Sequence, residues 1–462
     1  MGFRFILLQM AVAGISLGAL VNPLIGLYGY IWYSLARPDA MSWSEGALPH
    51  SLIMAICTLA GVWRFIPNLR LWIVNPWVLS MLGLQVVMLA SCLTAQYPDL
   101  AWGPYWNFVK YALIALLIPL YIVTLRELRW LMLVIAFSVG LVGFRFGVFG
   151  LRAGGVHFEG GLGGFMSDNN TLAVALLMGL PFIWYSRELV EKRWMKMAIY
   201  LFLFTDMATI VMTHSRGAML SLAVLCLVLT LRSRHKVTVL AAMVILAAPT
   251  VYLVQDSLGD RLSTFENLDA DGSATSRIRY WKAAVAMSMD YPVLGVGFGT
   301  YNWVALSPNY LGVTNDKQHV IHNNYLQMAV DSGIFAFLIL LWQIYFGIFW
   351  LGRTAAKIKK THPELLPYPR AMEAALIAYS VGSLFVSRTD YDFYYFLVMM
   401  IGCWYTVMQQ LPAPATASGE PKPSAQTREW GPVHVGPAVP SVEVETPRRS
   451  RTLDSPIRSR RP

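Results

Sequence analysis

The stretch LFLFTDMATIVMTHSRGAMLSLAVLCLVLTL, residues 201–231, decides the fold. Two hydrocarbon-rich runs flank a polar knot of His214, Ser215 and Arg216. A helix rises about 1.5 Å per residue, so roughly 20 apolar residues cover the ~30 Å hydrocarbon core of a bilayer. A soluble domain would show amphipathic helices or alternating strands instead. The stretch therefore reads as two membrane helices meeting at a tight turn, with an arginine left at the water boundary.

The same grammar runs along the chain. It has 462 residues, of which 56% are hydrophobic and only 13% charged, and its apolar runs are separated by short charged patches. The fold class expected is all-α: a polytopic integral membrane helical bundle of about 12–13 transmembrane helices. The spans expected are residues 4–20, 22–36, 50–63, 73–95, 106–124, 128–150, 170–185, 196–213, 217–231, 237–254, 324–351, 371–387 and 393–409. The first two are split by Asn22-Pro23 and read as two short helices or one kinked one. FILLQMAVAGISLGAL, at 5–20, has the look of a signal peptide, but a convincing small-residue cleavage site is missing before Asn22-Pro23 and many spans follow, so it reads as a retained helix.

Charge sets the expected orientation. The basic loops at 63–70, 126–129, 187–196, 232–236 and 353–360 fall on one face under this span assignment, which the positive-inside rule makes cytoplasmic. The loops at 37–49, 96–105, 151–169, 255–323 and 387–395 then face the periplasm of a bacterial inner (cytoplasmic) membrane, together with the SRG turn. The net charge of +10 is thus mostly topological and does not call for nucleic acid. Four parts follow: N-terminal transmembrane helices at 1–254, a long periplasmic loop with short helices at 255–323, C-terminal transmembrane helices at 324–410, and a tail at 411–462. The tail is rich in Pro, Ala, Ser and Arg, cannot bury enough apolar surface to offset its ordering entropy, and is expected to be disordered and cytoplasmic, its arginines within reach of anionic membrane lipids. Cys57, Cys92, Cys226 and Cys403 all fall inside apolar runs without paired spacing, which suggests small core residues and no disulfide framework.

Chemistry is carried by a few polar residues at the outer boundary. An arginine near a span end is costly even when it snorkels, which makes Arg216 a functional candidate, the plainer alternative being an anchor to lipid phosphates. SATSRIRYWKAAVAMSMDYPVLGVGFGTYNW, residues 273–303, reads as a Ser-capped amphipathic helix stopped by a Pro/Gly turn. Arg277 and Trp281 are four apart and share a face, whereas Arg279 points elsewhere, toward solvent. The glycines of LGVGFG lack a following Lys-Ser/Thr and do not make a nucleotide-binding loop. In QHVIHNNYLQMAVDSG, residues 318–333, His319 and His322 have a metal-compatible spacing, but a carboxylate or third nitrogen is wanting nearby, so neither metal nor other cofactor is expected. A histidine at the mouth of a polar cavity suits general-base work or the orienting of a hydroxyl; capping a helix end is the structural alternative. Two arginines and a histidine on one face suggest transfer from a lipid-linked phosphate or pyrophosphate, since the guanidinium fork matches phosphate oxygens.

Less decided are the glycine-rich loop at 151–170, a lid or a plain connector, and Asp390 and Asp392 in SRTDYDFYY, which orient the histidine, bind the acceptor or belong to an interfacial belt. Lys110, Arg145 and Asp206 are further ionisable residues inside spans. A flippase or transporter for lipid-linked sugars would spread charge through the depth of the bundle and show paired halves, which this sequence does not.

In this order, S-R-G-A (Ser215 to Ala218), R-x-x-x-W (Arg277, Trp281) with P-x-x-G-x-G (Pro292, Gly295, Gly297), and H-N-x-Y-L-Q (His322, Asn323, Tyr325, Leu326, Gln327) resemble the O-antigen ligase and polysaccharide polymerase superfamily. The N-P near the start, WSEGALPHSLIMA at 43–55 and SDNNTLA at 167–173 look like the exosortase-associated O-glycosylation ligase branch. The resemblance covers about residues 1–410 and implies a metal-independent, inverting glycosyltransferase that moves a glycan from undecaprenyl pyrophosphate to an acceptor hydroxyl on protein, lipid or another glycan. It implies that Arg216 and Arg277, with Arg279 near them, hold the donor pyrophosphate, that His322 activates the acceptor, and that His319, Asn323, Tyr325 and Asp390 support them. A repeat-unit polymerase of the same superfamily needs the same groups and differs in its acceptor.

Overall fold

The computed structural model describes residues 3–41, 49–233, 236–237, 240–241, 244, 272–312 and 320–411. The chain is an all-α membrane bundle, and several of its helices begin at a cap carried by the local sequence. Helix α1 (Phe3–Val21) gives way to α2 (Pro23–Ala36) at Asn22, whose side chain accepts from Leu24 N while Pro23 takes the first helical position. The two are separate helices folded into a hairpin: a Cβ on Gly29 would meet Ile15, and one on Gly26 would meet Ala19. After the single turn α3 (Pro38–Met41) comes α4 (His50–Leu59), and then the 3₁₀ segment Val62–Asn68 and α5 (Leu69–Ile73). The stretch expected as a basic loop at 63–70 is therefore helical, set at 54° to α4.

Asn75 and Pro76 repeat the Asn22-Pro23 device at the start of α6 (Pro76–Leu93), and Asn75 also donates to the Gly402 carbonyl at 2.8 Å. Helix α7 (Pro98–Tyr121) starts earlier than the apolar run suggested, because Pro98 is itself a helix-starting residue. A Thr124/Glu127 capping box opens α8 (Leu125–Arg152), and an Asp168/Thr171 box opens α9 (Asn169–Ser186). Between them the glycine-rich loop folds into an antiparallel hairpin of β1 (Gly160–Gly163) and β2 (Met166–Asp168). Helices α10 (Arg193–Met212) and α11 (Arg216–Arg232) follow. Beyond them lie α12 (Gly272–Asp290), α13 (Thr300–Leu306), α14 (Pro308–Leu311) and α15 (Asn324–Leu341). A π-turn at Trp342–Phe346 leads into α16 (Gly347–Ile358), and α17 (Pro367–Gly382) and α18 (Asp392–Gln410) close the bundle.

Every residue of α9 from Thr171 to Ser186 is buried, which makes it an axial helix packed by α8, α10, α11 and α17. The lipid-facing surface is the inverse of a soluble one. On α6, Leu79, Val86 and Leu93 recur every seven residues on the exposed side, while Val78, Met81, Met88 and Cys92 are buried. With hydrocarbon as solvent, burying apolar area contributes little between helices, and close backbone approach matters more. Helices α8 and α10 show this: a Cβ on Gly143 would lie 2.8 Å from the Asp206 Cα, and one on Gly147 would lie 2.5 Å from the Thr205 carbonyl.

Among the described residues five helices are long and apolar enough to cross a membrane, six if the bent pair at 50–73 is one span. Shorter apolar helices such as α2, α11 and α17, with 14, 17 and 16 residues, pack in the same bundle. The expected span at 237–254 and the tail at 411–462 fall almost wholly outside the described residues. The expected span at 324–351 is not one rod: α15 loses helical geometry at Gly333.

Candidate functional site

The polar knot of the SRG turn is a structured corner. Helix α10 stops at Thr213, His214 adopts φ 51°, and Ser215 caps α11 by accepting from Ala218 N at 3.3 Å. The N-terminus of α9 clamps this corner, Asn169 Nδ2 donating to the Thr213 carbonyl at 3.1 Å and Ser215 Oγ bonding Asn170 Oδ1 at 2.6 Å. His214 and Ser215 are buried; Arg216, the first helical residue of α11, is half-buried.

His322 repeats this design. Its φ is 55°, Asn323 follows as the cap of α15, and Asn323 Oδ1 accepts from Tyr325 N at 3.1 Å and Leu326 N at 3.2 Å. Left-handed geometry costs a non-glycine residue about 1–3 kcal/mol, so a chain that spends it on histidines at two helix entrances is holding those side chains in a set direction. Of the residues expected near the site, Asn323 is the cap of α15, and the buried Tyr325 donates to the Ser380 carbonyl at 3.0 Å.

Arg277 is half-buried on α12 and Arg279 is exposed, its guanidinium carbon 5.7 Å from the Tyr280 ring. One turn beyond Arg277, Trp281 donates its indole N–H to the Ile321 carbonyl at 3.0 Å, next to His322. The helix expected along the membrane surface is thus fastened to the entrance of α15, and Tyr280, Ala283, Ala284 and Met287 bury themselves against Val296, Trp303, Ile321 and Val330. The LGVGFG glycines serve packing: Gly295 has φ 69°, and a Cβ there would lie 2.4 Å from the Val330 carbonyl oxygen.

The segment at 383–390 joins the arginine and histidine corners. Asn324 N donates to the Ser383 carbonyl at 2.7 Å, Asn323 N to Ser387 Oγ at 3.3 Å, and Arg388 N to Asn324 Oδ1 at 3.2 Å. On its other flank Phe385 packs where a side chain on Gly217 would be, a Cβ there falling 2.4 Å from the Phe385 Cγ. The 383–390 segment therefore links the two corners, Phe385 packing on Gly217 next to Arg216 and Ser387 bonding Asn323 next to His322, while Trp281 bonds Ile321 on the other side of His322. Asp390 pairs with Arg388, Oδ1 to Nε at 2.9 Å and Oδ2 to Nη2 at 3.3 Å, and its carbonyl accepts from Tyr111. Burial alone would lower the Arg388 pKa, but Asp390, then Tyr111, Asp392 and Asp168, carry it above the ordinary arginine value, so the guanidinium stays charged.

His319 lies outside the described residues. Sequence reasoning passed over Arg388, Asn170 and His157; the stretches SRTDYD and SDNNT signalled the first two through capping and charge pattern. The glycine-rich loop is fastened at both ends. Phe158 N donates to the Met212 carbonyl at 3.1 Å, and the His157 ring stacks on His214 with centroids 4.6 Å apart and planes 3° from parallel.

Compared with known families, residues 198–341 match the family model described as O-antigen ligase, and residues 3–191 match a family of unknown function. The first match spans the SRG corner, α12 and the entrance of α15. A search of curated proteins found no match.

Proposed function

We propose that the chain, whose residues 198–341 match the O-antigen ligase family model, is a periplasm-facing glycosyltransferase of the bacterial inner membrane, transferring a glycan from undecaprenyl pyrophosphate to an acceptor hydroxyl. The observation that supports the reading is that one segment, 383–390, packs on Gly217 and bonds Asn323, while Trp281 bonds Ile321, so the sequence neighbours of Arg216, His322 and Arg277 are tied together. Helices α11 and α15 both begin there, and a helix N-terminus favours an anion through its free N–H groups and dipole.

In this mechanism Arg216 and Arg277 grip the donor pyrophosphate, with Arg279 at the exposed rim, and stabilise the charge that grows as it leaves. The acceptor oxygen attacks the anomeric carbon as the bond from that carbon to the phosphate oxygen breaks. One glycosidic C–O bond forms, undecaprenyl pyrophosphate departs with the bond pair, and the acceptor proton passes to His322. Displacement in one step inverts the anomeric centre. Among the described residues no three or more His, Cys, Asp and Glu side chains are grouped so as to hold a metal ion. The resemblance to exosortase-associated ligases noted in the sequence suggests exopolysaccharide or protein-glycan assembly.

The test is purified protein with an undecaprenyl-pyrophosphate-linked oligosaccharide. Acceptor-dependent release of undecaprenyl pyrophosphate supports the reading; intact donor crossing liposomes without release overturns it in favour of a flippase. A product lengthened on a second lipid-linked glycan makes the enzyme a polymerase of the same superfamily.

A further inference from the structure

Helix α15 breaks at Gly333 (φ 74°, ψ −170°), two residues after Asp331, and a Cβ at 333 would stand 2.2 Å from the Val293 carbonyl oxygen. The break lays α15 backbone against the loop that follows α12. Val296 N donates to the Val330 carbonyl at 2.8 Å, Gly297 N to the Asp331 carbonyl at 3.2 Å, and Ile334 N to the Pro292 carbonyl at 2.8 Å. Ser91 Oγ adds a fourth bond, 2.6 Å to the Asp331 carbonyl. All four are made by main chain on the α15 side and do not depend on which side chain stands at 331.

The Asp331 side chain is fully buried and turns to other partners. Its Oδ1 accepts from Gln327 Nε2 at 2.7 Å and its Oδ2 from Thr389 Oγ1 at 3.2 Å. Two donors meet a group that, ionised, can only accept. As filler for a membrane bundle a carboxylate is costly, since burying it is offset only by such partners. Thr389 stands between Arg388 and Asp390, the ion pair held against Asn324 at the entrance that bears His322.

We infer that Asp331, acting through Thr389, fixes the register of the Arg388–Asp390 pair beside His322 and is a positioning residue for the transfer reaction. This rests on the function proposed above. Asp331→Asn keeps the shape and the four main-chain bonds but presents an N–H₂ group to a donor; Thr389→Val keeps the shape and removes the hydroxyl; Thr389→Ser restores it.

The experiment measures steady-state transfer from an undecaprenyl-pyrophosphate-linked oligosaccharide, together with amide exchange of residues 387–391 by mass spectrometry. Expected are a fall in kcat of about 10-fold or more for Asp331→Asn and Thr389→Val with the donor KM within about twofold, and near wild-type behaviour for Thr389→Ser. The double variant Asp331→Asn/Thr389→Val should be no worse than the weaker single variant within about twofold, the signature of one shared contact. Exchange at 387–391 should quicken in the two impaired variants only. Additive losses, wild-type kcat in Thr389→Val, or a loss matched by a fall in folded protein overturns the inference. If the wild-type protein releases no undecaprenyl pyrophosphate, the proposed function fails instead, and exchange alone decides whether Asp331 fixes the segment: unchanged exchange in Asp331→Asn refutes it.

Discussion

Trp281 donates its indole N–H to the carbonyl of Ile321 at 3.0 Å. That bond ties the helix of Arg277, one turn past the arginine, to the residue preceding His322, so the pyrophosphate-binding and hydroxyl-activating sides of the proposed site are set relative to each other by a side chain that does no chemistry. Trp281→Phe keeps the ring packing and removes the donor. A displacement of about 1 Å can cost on the order of 10²-fold in rate. Transfer by Trp281→Phe should fall by about 10-fold or more while the folded fraction, followed by detergent size-exclusion chromatography, stays unchanged.

Arg216 begins α11 directly after the Ser215 cap, and in the proposed reaction the free N–H groups there and the guanidinium act on the same pyrophosphate. Arg216→Ala should lower transfer by about 10²–10³-fold, the scale seen when one preorganised donor to a developing oxyanion is removed. Arg216→Lys retains the charge without the fork and should recover only part of it. Full activity in Arg216→Lys, in the same release assay, argues against a bidentate clamp.

His322 has φ 55°, which confounds the usual alanine test. Alanine there pays about 1 kcal/mol or more for left-handed geometry, whereas asparagine tolerates it. Both His322→Ala and His322→Asn should lose turnover, with donor binding retained in a filtration assay. Only the alanine variant should also melt at lower temperature. Turnover surviving in His322→Asn removes the histidine from proton transfer.

How far the sequence carried these conclusions depends on the range of the interaction. Helix ends were legible because caps are local: Asn22-Pro23, Asn75-Pro76 and Ser215 announce their helices within three residues. The break at Gly333 was not, because its cause is the carbonyl of Val293, brought in from 40 residues away. The arginines and His322 stood out as polar residues at the edges of apolar runs. Arg388 was passed over inside an acidic, aromatic turn, since its importance comes from Asn324 and Gly217 being folded against the same segment. The glycine-rich loop looked loose by composition, yet Phe158 and Asn169 pin it to the end of α10.

At the far end of α11 from Arg216, Glu373 of α17 is 1% exposed and takes both Arg232 and Arg370, the latter at 2.7 Å. It staples α11 to α17, the helix that leads into the 383–390 segment. Removing one member of a buried ion group leaves uncompensated charge and typically costs about 3–5 kcal/mol, whereas replacing the whole group with apolar residues is close to neutral. Glu373→Ala should therefore sharply lower the melting temperature in detergent, and Glu373→Leu combined with Arg370→Leu should recover part of the loss. Because the staple lies at the other end of α11 from the proposed chemistry, transfer per folded molecule should remain near wild type in both. A kcat that falls in proportion to stability in this pair would mean that the site responds to general loosening of the bundle, and the losses at Arg216 and His322 would then have to be judged against that baseline.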